Sequence, residues 1–189
     1  MTFRVTDDNV LYLYPYYTLN EKTDQKSKEV YHVFKRNWSK DAYFANIRDD
    51  MFSAVDDFLI KTGVHQYRVA VVVMPSHSQG QYGESLCDLA NALVGRFSFV
   101  NNITLIQRVE EKIKSTDGGI RTVEAHIRTL GLLDMPSDNV DVYLILDDIT
   151  TTGSSLEAAK QLLIANGVHP NNIIKVAVAK TTHDDYYFG

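Results

Sequence analysis

Three apolar runs alternate with helical patterns, and this alternation constrains the fold of the 189-residue chain more than any other feature. Residues 67–74, 140–146 and 173–179 are rich in valine, isoleucine and leucine. Strands covered on both faces have this composition, and parallel sheets place strands in that position. Helical spacing of apolar residues follows the first two runs, at residues 83–93 and 154–165. The pattern predicts an α/β fold with a mostly parallel central sheet, flanking helices and right-handed crossovers.

The first third of the chain has a different texture. Residues 9–17 are rich in aromatic and branched side chains, which predicts a strand. Pro15 restricts that strand to an edge, a strand end or a turn. Residues 20–28 are polar and predict a surface loop, whereas residues 31–36 indicate a second short strand.

Patterns in the rest of the chain predict three further elements. Apolar residues at helical spacing predict a helix that opens at Asp41 and stops at Gly63. Residues 103–106 predict a short strand. Residues 107–138 are charged and only weakly periodic, which predicts a long loop, and such loops in compact domains are often functional.

Composition limits the classes of partner. The net charge of −5 and the pI of about 5.6 argue against a general nucleic-acid or membrane-surface binder, because such proteins need a cationic face. No apolar run is long enough to span a membrane and no signal peptide is visible, so the expected location is the cytoplasm. The single cysteine, Cys87, is expected to be a small buried helix residue, with a nucleophilic role as the less favoured alternative.

The chemistry concentrates in residues 142–156, with the sequence VYLILDDITTTGSSL. The segment starts as a buried strand and opens a helix, and open α/β sheets bind ligands at the carboxyl edge of their strands. Amides in a first helical turn lack intrahelical partners and carry partial positive charge, which suits a phosphate. Gly153 allows close approach of the backbone. Four hydroxyls are available to donate to phosphate oxygens, on Thr151, Thr152, Ser154 and Ser155.

Two aspartates, Asp147 and Asp148, precede this loop and are called the acid pair below. Two carboxylates beside a phosphate-binding loop would repel a phosphate. A ligand that also contains a sugar explains both features, because carboxylates accept hydrogen bonds from vicinal hydroxyls. Ribose 5-phosphate has this polarity, and a divalent cation near the hydroxyls would lower the repulsion further. Each element is also typical of an ordinary turn or of acidic charge at a helix start. The joint pattern favours ligand binding.

Residues 142–156 resemble the phosphoribosyl pyrophosphate (PRPP) motif of type I phosphoribosyltransferases, in which an apolar strand leads to two acids and a phosphate loop of Thr-Thr-Gly type. Residues 71–78, with the sequence VVVMPSHS, are similar to the pyrophosphate loop of that family. The order of strand, proline, polar loop, helix, arginine-bearing linker and acidic motif is most like that of the competence-protein ComF-type members. The resemblance covers residues 67–180.

The resemblance implies a type I phosphoribosyltransferase fold over a single domain, residues 1–189. Residues 1–65 would form an N-terminal extension or hood with its helix, and residues 67–180 the α/β core. The implied ligands are PRPP, Mg²⁺ and an unidentified nitrogenous acceptor, with pyrophosphate released. The acid pair and Thr151 are then catalytic, and the acid pair holds magnesium indirectly, through ribose hydroxyls or water. A homodimer is also compatible with the family.

The same resemblance places the loop at residues 151–155 around the 5′-phosphate. It places Ser76, His77 and Ser78 around pyrophosphate, with a solvated turn as the alternative. Arg108 lies at the end of the short strand predicted before it, on the same sheet edge. There it is expected either to pair with a phosphate or to be an ordinary surface residue.

Residues 110–128 resemble in position the flexible loop that closes over PRPP in this family and excludes water. Basic residues there are candidates for stabilising the departing pyrophosphate. Each of them alone is also typical of a solvated loop. They are Lys112, Lys114, Arg121 and Arg128.

Thr151 stands where the 6-oxopurine branch of the family has an aspartate that acts near the base nitrogen. The resemblance therefore argues against a hypoxanthine or guanine enzyme and leaves orotate, uracil or adenine-type acceptors open. Two other uses of the site stay open. One is a non-catalytic PRPP-sensing or partner-binding protein, and the other is a hydrolase or phosphorylase-like enzyme.

Overall fold

The computed structural model describes residues 1–18, 23–36, 42–110 and 122–182. A central sheet contains six strands, β1 (Arg4–Val5), β2 (Val10–Tyr16), β3 (Val69–Val73), β4 (Val100–Asn101), β7 (Val142–Thr150) and β8 (Ile173–Thr181). A separate antiparallel pair consists of β5 (Ile106–Arg108) and β6 (Leu130–Leu132). The helices are α1 (Gln25–Val30), α2 (Ala42–Thr62), α3 (Glu84–Phe97), α4 (Val123–Ile127) and α5 (Ser154–Ala165).

The central sheet is mostly parallel, as the sequence predicts. Its strand order is β1-β2-β8-β7-β3-β4, and only the β1–β2 pair is antiparallel. Helices cover both faces of the sheet. The side chains of β7 show this, since they point alternately into two core clusters, one on each face. Leu144 and Leu146 pack with residues of α2 and α3, whereas Tyr143 and Ile145 pack with residues of α5. The α/β class with flanking helices is therefore confirmed.

The strand order reverses between β3 and β7. The chain leaves β3 through α3 and enters β4 on one side, whereas β7 pairs with the other side of β3. α3 packs on one face of the sheet and α5 on the opposite face. A crevice opens at the carboxyl ends of the strands at such a reversal, and ligands of open α/β sheets bind there. The segments that follow β3 and end β7 meet at this crevice.

The N-terminal strand lies where Pro15 allows it. The predicted strand at residues 9–17 is β2, which pairs in parallel with β8 through residues such as Pro15, opposite Lys180. On its other side β2 pairs with β1 only through Tyr12 and Leu11. Pro15 therefore lies on the part of β2 that has a neighbouring strand on one side alone, where a missing backbone N–H is tolerated.

The strand predicted at residues 31–36 is wrong. α1 continues directly into a π-helical turn at Tyr31–Lys35, and α1 itself occupies part of the loop predicted at residues 20–28. Asp24 caps α1, since its Oδ1 accepts from the amide of Ser27 at 3.0 Å. Branched and aromatic side chains in this segment favour strands only weakly, and their packing into the core overrides that preference.

Two predictions in the middle of the chain also need correction. The sheet strand predicted at residues 103–106 is displaced, because β4 lies before it and β5 begins at its last residue, in the separate pair. The segment at residues 107–138 is not one long loop, since it includes most of β5 and all of α4 and β6. Elements of three to five residues are too short to show a clear period.

The long helices agree with their patterns. α2 ends before Gly63, whose φ of +74° makes it the stop that the sequence predicts, while the predicted start at Asp41 lies outside the described residues. α3 and α5 cover the predicted helices, and α3 extends to Phe97. No helix in the described part of the chain has the length and apolar character that crossing a bilayer requires. Cys87 is half-buried on α3, and burial raises the pKa of its thiol, which disfavours a thiolate nucleophile.

Candidate functional site at the carboxyl edge of the sheet

The acid pair occupies the last rows of β7 instead of following the strand, because β7 continues to Thr150. Neighbouring side chains of a strand point to opposite faces, and the two carboxyl groups do so here. Asp147 faces α5, where the hydroxyl of Ser155 donates to its Oδ2 at 3.1 Å. Asp148 faces the other side, where the ammonium of Lys35 donates to its Oδ2 at 2.7 Å. The structure thus brings the pair to one edge but gives each carboxyl a different neighbour.

Asp147 has an unusual electrostatic environment. Burial, and to a smaller extent the charge of Asp148, raise its pKa from the ordinary value to about 7. Lys35, the amide of Asp148 at 2.9 Å and the hydroxyl of Ser155 act in the opposite direction. Near neutral pH this carboxyl is therefore partly protonated, which is common for groups at functional sites.

Lys35 is a site residue that sequence reasoning missed. It lies at the end of the π-helical turn, 113 positions from Asp148 in the chain. Desolvation by the surrounding protein opposes its charged form, but Asp148, with smaller contributions from Asp147 and Tyr16, raises the pKa of Lys35. No local pattern marks this lysine, since only the order of strands in the sheet brings it to β7.

The loop between β7 and α5 is held by its own hydroxyls. The amide of Gly153 donates to the hydroxyl of Thr150 at 3.0 Å, and the hydroxyls of Thr152 and Ser154 share a hydrogen bond of 2.8 Å. Gly153 has a φ of +74° and forms the N-cap of α5, without a side-chain hydrogen bond to the helix start. The first turn of α5 therefore offers amides that lack an intrahelical partner.

Two of the predicted phosphate-binding hydroxyls face the strands. Thr151 shares a hydrogen bond of 3.2 Å with the hydroxyl of Thr181 on β8. Ser155 donates to Asp147 and so connects the start of α5 to the acid pair. A phosphate at this helix start is expected to use mainly the first-turn amides and the hydroxyls of Thr152 and Ser154.

A small cleft of about 80 Å³ lies beside the same loop. The turn between β1 and β2 contributes Asp7 and Asp8 to its lining, and β8 contributes Lys180. Its charge is therefore mixed, and the two carboxylates oppose an anion inside it. The start of α5 is the better position for a phosphate.

The polar loop after β3 is a compact turn. The amide of Ser76 donates to the carbonyl oxygen of Gln81 at 2.8 Å, and the amide of Ser78 donates to the hydroxyl of Ser76 at 3.3 Å. His77 is exposed between them. The three residues predicted to face pyrophosphate thus form a turn at the crevice beside β7.

Arg108 holds this polar loop from below. Its side chain is only 3% exposed, so the alternative of a surface arginine is wrong. Its Nε donates to the carbonyl oxygen of Ser76 at 3.2 Å, and its Nη1 donates to the hydroxyl of Thr129. Burial lowers the pKa of Arg108, and the charge of Asp147 opposes that change. Arg108 lies on β5 of the separate pair and not on the central sheet.

The flexible-loop candidates are only partly visible. Lys112, Lys114 and Arg121 lie outside the described residues, so their predicted role stays a prediction. Arg128 is exposed and forms the C-cap of α4.

The acid pair has donor groups that suit magnesium bound as part of a ligand complex. In the described part of the chain, no three histidine, cysteine, aspartate or glutamate side chains form a group that could hold a metal ion. Mg²⁺ keeps several waters and is commonly bound by one or two carboxylates together with substrate phosphates. Asp147 and Asp148 match that donor set, so they fit a magnesium–phosphate ligand.

Replacing Gly153 with alanine tests the geometry of the loop. We expect the free energy of unfolding to fall by about 1–3 kcal/mol, because a left-handed φ strains alanine and its Cβ would lie 3.3 Å from Cγ2 of Val10. Gly167→Ala is the matched control, since Gly167 has a φ of +96° but no atom within 4 Å of the added Cβ. Denaturant unfolding measures both, and equal losses would show that the contact with Val10 contributes nothing.

No protein-family model matches the chain, and comparison with curated proteins finds no significant match.

Proposed function

We propose that this protein binds PRPP as its magnesium complex and transfers the phosphoribosyl group to a nitrogen nucleophile, on a type I phosphoribosyltransferase fold. One observation carries the proposal. The acid pair, the hydroxyl-rich start of α5 and the polar loop held by Arg108 converge at one sheet edge, beside the point of strand reversal. Carboxylates that can accept hydrogen bonds from a diol lie between two sites that suit anions. PRPP has the same order of groups, with the ribose diol between the 5′-phosphate and the pyrophosphate.

Each part of the site has a role in binding. The first-turn amides of α5 with Thr152 and Ser154 hold the 5′-phosphate. The acid pair accepts hydrogen bonds from the 2′ and 3′ hydroxyls, which fixes the ribose between the two loops. The polar loop after β3 faces the pyrophosphate, and the charge of Arg108 beneath it favours an anion.

In the reaction, the bond between C1 and the pyrophosphate oxygen breaks, and pyrophosphate leaves with the electron pair. The nitrogen lone pair of the acceptor forms the new bond to C1, and the proton on that nitrogen is released to solvent. Thr151 has a hydroxyl where the 6-oxopurine enzymes have a carboxylate, so it does not act as a base, and its hydrogen bond to Thr181 helps to hold the phosphate loop. The magnesium bound with PRPP would supply charge neutralisation for the leaving group.

Calorimetry with PRPP and Mg²⁺ tests binding, and incubation with a panel of nucleobases followed by assay of pyrophosphate tests transfer. We expect saturable binding that requires Mg²⁺ and pyrophosphate release with at least one base outside the 6-oxopurines. Binding without release would favour the PRPP-sensing alternative. If PRPP does not bind, the proposal fails.

A further inference from the structure

The N-terminal segment supplies part of the candidate site. β2 runs parallel to β8, so its last residue, Tyr16, lies at the same sheet edge as the end of β7. The amide of Tyr17 donates to the hydroxyl of Ser27 at 3.0 Å, which holds α1 against the end of β2. α1 and its π-helical continuation then bring Lys35 to Asp148.

The position of Lys35 relative to β7 indicates which end of a ligand it faces. Asp148 lies on the face of β7 opposite Asp147, which contacts Ser155 at the start of α5. Lys35 is therefore on the side of the strand away from the proposed 5′-phosphate site. In a phosphoribosyl ligand, C1 and C5 stand at opposite ends of the sugar, with the 2′,3′ diol alongside. A ligand with its phosphate at α5 and its diol at the acid pair directs C1 away from α5, toward Lys35.

The ion pair between Lys35 and Asp148 is easy to exchange. The two side chains are 45% and 22% exposed, and ion pairs this open to water contribute little to stability. The lysine side chain is also long and flexible, with three donors. Its ammonium can therefore move from Asp148 to a nearby ligand anion at small cost.

We propose that Lys35 is a ligand-binding residue supplied by the N-terminal segment, pairing with Asp148 in the structure and donating to the pyrophosphate group at C1 when PRPP binds. The inference rests on the function proposed above. It also explains how the acid pair tolerates an anionic ligand, because Lys35 offsets part of its charge.

Calorimetry on the full chain tests the role of Lys35 with two ligands, magnesium–PRPP and ribose 5-phosphate with Mg²⁺, which lacks the pyrophosphate. We expect Lys35→Met to weaken PRPP binding about tenfold and ribose 5-phosphate binding less than about threefold, because one charge-assisted contact is lost. Lys35→Arg should restore PRPP binding to within about threefold of the original protein. Lys61→Met is the matched control, since Lys61 pairs with Asp57 at the same 2.7 Å on the exposed face of α2.

Each outcome has a separate meaning. Equal losses for both ligands, or no loss for PRPP, would overturn the role of Lys35. A fall in melting temperature with unchanged PRPP binding would reduce it to a structural contact and would also overturn the inference. If the original protein does not bind PRPP, the proposed function fails and this inference fails with it. If the original protein binds PRPP and the Lys35 variants bind it equally well, the proposed function stands and the role of Lys35 fails.

Discussion

Replacing Asp147 and Asp148 together with asparagine is expected to weaken the binding of magnesium–PRPP by on the order of a hundredfold. Hydrogen bonds to charged acceptors are stronger than neutral ones, and both proposed ribose contacts would lose their charge. The variant also removes the carboxylates that fit the magnesium–phosphate complex. Calorimetric titration of PRPP in the presence of Mg²⁺ measures the loss.

The matched control is the pair Asp138→Asn and Asp141→Asn. These aspartates lie just before the amino end of β7. Their replacement therefore also removes two negative charges, but at the opposite edge of the sheet. We expect PRPP affinity to stay within about threefold in this control. Unchanged affinity in the Asp147 and Asp148 variant would show that ribose does not bind there. An equal loss of affinity in both double variants would mean that the change in net charge, and not a contact with ribose, causes the loss.

The single variant Asp147→Asn is expected to raise the free energy of unfolding at pH 8, without ligand, by roughly 2–4 kcal/mol. Burial and the neighbouring Asp148 raise the pKa of Asp147 to about 7, so ionising it in the folded protein is costly. Asparagine cannot ionise and still offers an oxygen to the hydroxyl of Ser155. The same substitution therefore weakens PRPP binding while it stabilises the fold.

The effect should depend on pH with a definite sign. An unfolded aspartate loses its proton near pH 4, whereas Asp147 in the folded protein holds it to about pH 7. Between these values the folded state binds more protons, so this group lowers stability as pH rises and adds nothing below pH 4. The gain from Asp147→Asn should thus grow from pH 5 to pH 8, as denaturant unfolding at both pH values would show.

Asp141→Asn is the control of opposite sign. The backbone amide and side chain of Arg68 lower the pKa of Asp141, so its ionised form favours the folded state. We expect Asp141→Asn to lower stability at pH 8. A loss of stability in both variants would mean that Asp147 is held ionised in the folded protein.

A carboxyl that lowers stability at the carboxyl edge of an open α/β sheet is typical of a binding site. Residues selected for binding commonly lower stability, and a ligand that binds only the folded state offsets the loss. The acid pair carries two carboxyls on adjacent residues, which a core chosen for stability alone would avoid. The burial of Asp147 beside a second carboxyl supports a role for it beyond folding.

Local sequence patterns predicted the central strands well, although the acid pair lies within β7 and not after it. The apolar run at residues 67–74 contains β3, and the run before Asp147 begins β7, because strands buried on both faces must be apolar throughout. Shorter elements failed. The segment at residues 31–36 has strand-forming residues but joins a helix, since its packing against the core outweighs a weak local preference.

The sequence by itself determined the α/β class, the long helices and the motif at residues 142–156, because burial and helical periodicity act between near neighbours in the chain. The tertiary structure alone decided that Lys35 meets Asp148, that Arg108 is buried under the polar loop, and that the two carboxyls of the acid pair face opposite sides of β7. These contacts join segments far apart in the chain. They depend on strand order and helix placement, which no local pattern encodes.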